Sequence, residues 1–186
     1  MNLNLKKADT AIRIGEVRFS YAYVFEPNQK AIDSKTGKPK YTCSILIPKT
    51  NKEAIKLVEE ATDAAAQRGA EEKWKGKVPA MLKRPLRDGD KEKADEDPAY
   101  EGMMFLNATN LRKPGVQVLD DGDRYNADSD DDFYSGCWGA VTLTFFPYDT
   151  SGNKGVGVSL GNLIKTRDDE RFSGGGESAE DSFGDL

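Results

Sequence analysis

From Ile12 to Phe25 the sequence IRIGEVRFSYAYVF alternates apolar and polar positions with a period of two. Successive side chains of a strand point to opposite faces, so the pattern predicts a long β-strand with Phe19, Tyr21, Tyr23 and Phe25 on one face and Arg18, Ser20 and Ala22 on the other. A turn over Pro27 to Pro39 leads into KYTCSILIP, where Tyr41, Cys43, Ile45 and Ile47 share one side and Lys40, Thr42 and Ser44 the other. The two strands are expected to pair as a hairpin. Thr50 followed three residues later by Glu53 forms a capping box, so a helix is predicted to open there, with Gly69 closing it and Ile55, Val58, Thr62 and Ala65 as its apolar stripe.

The stretch from Trp74 to Pro98 has no period. Beyond it, MMFLNA (Met103 to Ala108), CWGAVTLTFFPY (Cys137 to Tyr148) and KGVGVSLGNLIK (Lys154 to Lys165) predict three further strands, the last two joined by a turn over Asp149 to Asn153. Five or so strands of uneven length, with one helix after the second, describe a small Greek-key barrel better than a sandwich. The expected fold is mainly β: a five-stranded OB-fold barrel with one main helix and long loops. The last fourteen residues, Ser173 to Leu186, hold a glycine spacer, four acidic residues and a single aromatic, Phe183. They carry too little apolar surface to fold, which sets the expected boundaries at 1–172 for the barrel domain and 173–186 for a flexible, disordered acidic tail.

Composition narrows the chemistry. The 186-residue chain has no histidine and only two cysteines, Cys43 and Cys137. A Ser-His-Asp triad, a Cys/His nucleophile and a structural zinc site are therefore excluded by inventory. Both cysteines fall inside apolar strand patterns and are expected as buried, reduced thiols. There is no phosphate-binding P-loop, and Gly155, Gly157 and Gly161 miss the dinucleotide fingerprint because Leu160 stands in its last glycine position, so no cofactor is expected. No signal peptide and no membrane-spanning apolar run are present, which predicts a cytoplasmic protein.

The formal charge of -5 conceals two acidic segments. The tail holds four acids and no base, and Asp120 to Asp132 holds seven aspartates against Arg124, so the remainder of the chain carries a surplus of five positive charges. Much of this surplus lies between Lys73 and Lys93, where eight basic residues, Lys83 and Arg84 among them, face three acids. Such a loop can follow phosphates without reading bases. Arg112 and Lys113 extend the footprint. Arg18 and Lys40 fall on outward positions of the first hairpin, and Lys154 opens the last strand.

In the strand from Cys137, Val141, Leu143 and Phe145 form the core face, which places Trp138 opposite with Thr142 and Thr144. An outward aromatic on a barrel strand is suited to stacking on a base, unless it packs under a loop. Tyr21 and Tyr23 share parity with Phe19 and read as core; Tyr23 stays a second stacking candidate if the strand curls past the core. Asp128, Asp130, Asp131 and Asp132 could hold a divalent cation, but not as a calcium loop: the sixth position from Asp128 is Phe133 and the twelfth is Gly139. No metal site is expected from them.

Taken in order, RFSYAYVFEP (Arg18 to Pro27), the YTCSILIPK strand running into a helix, PLRDGD, NATNLRKPGVQVLD, YSGCWGAVTLTFFPY with GNKGVGVSLGNL, and the acidic tail resemble a bacteriophage family of single-stranded-DNA-binding proteins, formerly a domain of unknown function. In role that family is similar to the single-stranded-DNA-binding proteins of short-tailed coliphages. The resemblance implies an OB-fold, non-catalytic binding of single-stranded DNA without sequence preference, and a part in phage DNA replication, recombination or repair in the host cytoplasm. The expected DNA-binding residues are Arg18, Tyr23, Lys40, Lys83, Arg84, Arg112, Lys113, Trp138 and Lys154. Glu180, Asp181, Phe183 and Asp185 of the tail are expected to meet phage or host replication proteins. Two rival readings remain: a metal-dependent nuclease built on Asp128 to Asp132, and an acidic phage protein that binds a host protein in place of DNA. Oligomeric state is not legible.

Overall fold

The computed structural model describes residues 1–172. In chain order its elements are β1 (Leu5–Lys6), β2 (Ala11–Ile32), β3 (Pro39–Pro48), α1 (Lys52–Glu72), β4 (Arg87–Asp88), α2 (Gly89–Glu92), a 3₁₀ turn (Pro98–Tyr100), β5 (Met103–Asn110), β6 (Val116–Asp120), β7 (Asp123–Asn126), β8 (Trp138–Thr150) and β9 (Asn153–Arg167). Five strands close into a ring, β5–β3–β2–β8–β9, and β9 returns to β5 in parallel at Thr109 and Ser159. This mainly β, closed five-stranded barrel with one main helix is an OB-fold. The predicted tail, with Glu180, Asp181, Phe183 and Asp185, lies outside the described residues.

The alternation of β2 does not run unbroken. Ile12 and Ile14 are buried at even positions, Val17 and Phe19 at odd ones, and Val24 at an even one again. Each change of parity coincides with an irregularity in pairing, one between Gly15 and Val17 against β8 and one between Ser20 and Tyr23 against β3. An extra residue in one strand of a ladder turns every later side chain to the other face. Tyr21 sits at the second bulge with φ 46°. The expectation that Tyr21 and Tyr23 belong to the core is therefore overturned: both are exposed. β2 also continues to Ile32, through the segment assigned to a turn.

Helix α1 starts one residue later than the capping box implies. Asn51 is its cap, accepting a hydrogen bond from the Ala54 N–H at 3.2 Å, and the same amide donates to the Gly15 carbonyl of β2. Gly69 does not close the helix, which runs three residues further. A side chain there would lie 2.6 Å from Pro147 and 2.7 Å from the Trp74 ring, so glycine serves close packing of α1 on β8. Ala54, Val58, Ala61, Thr62, Ala65, Ala66 and Ala70 make the buried stripe. Mostly alanine, it brings the helix backbone near the end of the barrel.

Cys43 and Cys137 are buried and unbridged, as expected. Burial pushes both thiols up, Cys137 to about 11. A smaller cluster, Leu46, Tyr100 and Phe105, lies outside the ring on the outer face of β3 and β5. Tyr100 meets Phe105 edge-on at 5.0 Å. The segment that covers this cluster is pinned by Lys49, whose ammonium lies 2.8 Å from Asp88 and 2.6 Å from Asp90. Hydrogen bonds from Lys49 hold both carboxyls below their ordinary range.

The region expected as an acidic loop is in part a hairpin. β6 and β7 pair antiparallel, with Asp120 to Asp123 at the turn, and β6 adds to β9 in parallel. The sheet therefore extends beyond the ring on the side away from β3.

Candidate nucleic-acid interface

Residues opposite one another on a ladder share a face. On the outer side of β2, β3 and β5 this produces successive rows: Ser20, Ser44 and Asn107; then Tyr23, Thr42 and Thr109; then Asn28 and Lys40. Thr109 carries the second row to Ser159 of β9, which itself faces Thr144 of β8. Apart from the tyrosines and Lys40 at its cationic end, the strip is made of small hydroxyls and amides. Tyr21 is 52 % and Tyr23 41 % exposed. An apolar ring held by a strand and presenting a face to water is a stacking platform open to any base.

One end of the strip is closed by the small outer cluster. Burial pushes the Tyr100 hydroxyl up, and the nearby Ser44 and Ser20 hydroxyls of the first row oppose that shift. Arg87 lies over the Phe105 ring at 4.9 Å. The other end is cationic. Beyond Tyr23, the β2–β3 ribbon projects as a finger whose turn is tied by Asp33, which accepts from the Thr36 N–H at 2.9 Å and hydroxyl at 2.8 Å. Hydrogen bonds from Thr36 keep the Asp33 carboxyl below its ordinary range. Lys30, Lys35 and Lys38 are exposed on this finger and Lys40 is half-buried at its base. Arg112 and Lys113, exposed, follow β5 directly, and among the described residues neither side chain has an ion-pair partner. Lys30, Lys35, Lys38 and Tyr21 are absent from the set expected from sequence. The lysine spacing of NQKAIDSKTGKPK was the available signal for the first three.

Arg18 and Trp138 occupy a different setting. The strand register pairs Arg18 with Trp138 and Trp138 with Arg167, so the three form a row across β2, β8 and β9. The segment after β9, Asp168 to Phe172, folds back over them. The Trp138 indole N–H donates to the Asp169 carboxylate at 2.8 Å, and Arg18 donates to the Gly136 and Glu170 carbonyls at 2.8 and 3.0 Å. Phe172 stacks over the Arg18 guanidinium at 4.3 Å, and Arg167 covers the indole at 4.6 Å. The Arg18 side chain is left 15 % exposed. Parity places both residues outward, as expected, but the chain itself covers them. Hydrogen bonds from the Trp138 indole and the Glu170 N–H hold Asp169 below its ordinary pKa, and those from Lys165 and Tyr134 do the same for Asp168. Burial alone would lower the Lys165 ammonium, but its hydrogen bond to Asp168 at 2.7 Å raises it.

The remaining expected cations divide. Lys83 and Lys154 are brought together by the backbone, the Lys83 N–H donating to the Lys154 carbonyl at 3.1 Å beside a bridge to Gly155. Arg84 turns to α1, where it donates to Asp63 at 2.6 Å. In the acidic run, Asp130 pairs with Arg171 at 3.9 Å and Asp132 accepts from the Asp128 N–H at 3.3 Å. Among the described residues no three acidic or thiol side chains gather as a metal site.

The fold and this face define an OB-type binding module. A family model described as the single-stranded-DNA-binding protein of Enterobacter phage Enc34 matches residues 10–186, and the chain belongs to that family. The protein p50 of Acyrthosiphon pisum secondary endosymbiont phage 1 is 33% identical over 184 residues, spanning 94% of this chain and 93% of the relative. Among solved structures, the single-stranded DNA-binding protein from bacteriophage Enc34 in complex with single-stranded DNA superposes with a TM-score of 0.72 at 24% identity, over 92% of this chain and 98% of that one. The single-stranded DNA-binding protein gp2.5 of bacteriophage T7 matches with a TM-score of 0.58 at 15% identity, covering 96% of each chain. The family resemblance read from the sequence is borne out. The chain is a binding protein and not an enzyme, so the nuclease reading of Asp128 to Asp132 is withdrawn.

Proposed function

We propose that this protein binds single-stranded DNA without sequence preference along the outer face of β2, β3 and β5. The observation that carries the reading is the polar strip with Tyr21 and Tyr23 standing exposed on it, between a closed apolar end and a cationic finger. Bases stack on the tyrosines while Lys40, Arg112, Lys113 and the finger lysines take phosphates; Lys83 and Lys154 serve the strand where it leaves the barrel. Stacking on a π-face is tolerant of base identity, and phosphate contacts carry no sequence information. Arg18 and Trp138 contribute only where the Asp168 to Phe172 segment yields. Family membership supports the same reading.

In this proposal residues 1–172 are the DNA-binding domain. The segment 173–186 offers Glu180, Asp181, Phe183 and Asp185 to phage or host replication proteins, and the protein acts in phage DNA replication, recombination or repair in the host cytoplasm. Among the described residues no helix is long and apolar enough to cross a membrane. Titration of fluorescein-labelled oligo(dT) at two salt concentrations tests the reading. Binding should weaken with salt, log K falling by about 0.7 per phosphate contact for each log unit. No binding at low salt, or binding only to duplex, would overturn it.

A further inference from the structure

A second concave surface lies on the other side of the strap formed by Asp168 to Phe172. The β6–β7 hairpin raises one wall of it, and the outer faces of β2, β8 and β9 make its floor, enclosing about 350 Å³. That volume is at the lower end of the range of small-ligand sites. The strand register explains its lining. Arg13 stands opposite Thr142, and a row of paired residues runs from Ala140 through Ile164 and Gln117 to Asn126. Among the described residues the groove is lined by no carboxylate and no aromatic ring.

Its two arginines and two of its amides are arranged to donate, while Gln117 gives its NH₂ to Asn126 and keeps an acceptor oxygen. Arg13 is held by neutral partners, the Leu3 carbonyl at 2.9 Å and the Asn2 carbonyl at 3.5 Å, and among the described residues no carboxylate compensates its charge. Arg124 is exposed and, among the described residues, its side chain makes no hydrogen bond or ion pair. Asn162 spends its carbonyl oxygen on the Gly115 N–H at 2.9 Å, and Asn126 spends its own on Gln117 at 3.1 Å. Both amide NH₂ groups are thereby left as donors. The Thr142 hydroxyl accepts from the Asn162 N–H at 2.8 Å, which fixes that side chain over the groove.

The geometry points to a phosphate-binding groove, formed by Arg13, Arg124, Asn126 and Asn162, that holds the backbone of the DNA strand at a place separate from the tyrosine face. The Arg124 guanidinium fork, the N–H groups of Arg13 not given to Leu3 and Asn2, and two amides match phosphate oxygens. With no aromatic in the lining, there is no platform for a base, while Ala140 and Ile164 offer an apolar floor to a sugar. The aspartates at the β6–β7 turn lie outside the lining and weaken long-range attraction, so the groove engages phosphate at hydrogen-bond distance. This inference rests on the DNA-binding reading and extends it: a strand long enough to leave the tyrosine face passes around the barrel to the groove.

The test compares oligo(dT) of about 6 and about 30 nucleotides on the full chain, with OB modules spanning about 4–16 nucleotides. Arg124→Gln should weaken the long oligonucleotide about tenfold at low salt, as expected for a lost charged hydrogen bond, and should lower its salt slope by about 0.7. The short one should bind as before. Arg13→Gln is the second variant and should behave alike. Equal losses for both lengths, or none for either, would overturn the separate groove. If the unaltered protein binds neither length, the proposed function fails, and NMR titration with inorganic phosphate then judges the groove alone. Shifts of the Asn126 and Asn162 side-chain amides keep it as a site for free phosphate; their absence removes it. A synthetic peptide of residues 177–186 provides the remaining arm, because stronger shifts with that peptide than with equimolar phosphate would assign the groove to an acidic segment and overturn the proposal.

Discussion

Two regions of the outer surface hold the same ingredients and differ in what covers them. On β2, β3 and β5, Tyr21 and Tyr23 are exposed on a strip that leads to lysines and arginines. On β2, β8 and β9, Trp138 lies between Arg18 and Arg167, yet Asp169 takes its indole hydrogen bond and Phe172 takes the guanidinium face. An aromatic beside cations is therefore not sufficient for a nucleic-acid surface. The second region already holds a carboxylate and a ring supplied by its own chain. What separates the two among the described residues is the return of Asp168 to Phe172, which folds back over Arg18 and Trp138 and not over Tyr21 and Tyr23.

The largest effect expected from disturbing this contrast is on the fold of the open face. Phe105 is fully buried between Tyr100, Leu46 and Arg87, so Phe105→Ala should lower unfolding free energy by about 3–5 kcal/mol, measured by urea denaturation. A loss well below that would mean that the covering segment contributes little and that the strip has no fixed end.

Next in size are the aromatics themselves. Tyr21→Ala and Tyr23→Ala should each cost on the order of 1–3 kcal/mol in oligo(dT) affinity, while Trp138→Ala should cost much less and be felt in thermal stability instead. The opposite ranking would show that DNA displaces the strap and that the covered region is the working one.

Single charges come third. Arg112→Ala and Lys40→Ala should each lower the salt slope of binding by about 0.7, and Arg84→Ala, whose guanidinium faces Asp63, should leave it unchanged. A reduced slope for Arg84→Ala would place DNA against α1 as well.

The smallest effect is acidic release of the strap. Asp168 and Asp169 have carboxyls held below the ordinary 3.8, so the stability they contribute is present in full above about pH 4 and is lost as pH falls through their folded-state values. Indole fluorescence of Trp138, followed in a Trp74→Phe background, should be flat from pH 8 to about 5 and change below about 4. A transition near neutrality would assign the strap to other groups.

Several features were legible along the chain because they depend on neighbours in sequence. The alternation of Val141, Leu143 and Phe145 locates β8, the helix follows the second barrel strand, and the two cysteines fall inside apolar runs and are buried. The period of two could not reveal where it slips. Tyr21 and Tyr23 carry the parity of Phe19, and only the pairing of β2 with β3 shows the extra residue that turns them outward. The β6–β7 hairpin was hidden because its strands are short and its turn is acidic, and it forms through pairing with β9, far along the chain.

By itself, then, the sequence determined the class of fold, the basic and acidic segments and the residue types available for binding. Each of these follows from local periodicity, composition or inventory. Only the tertiary structure decided which of them are free. Whether Arg18 meets a ligand or Glu170, whether Arg84 meets phosphate or Asp63, and whether Arg13 and Arg124 share a groove all depend on contacts between residues from 21 to more than 100 positions apart. Such contacts are set by strand register and chain return, and no local pattern records either.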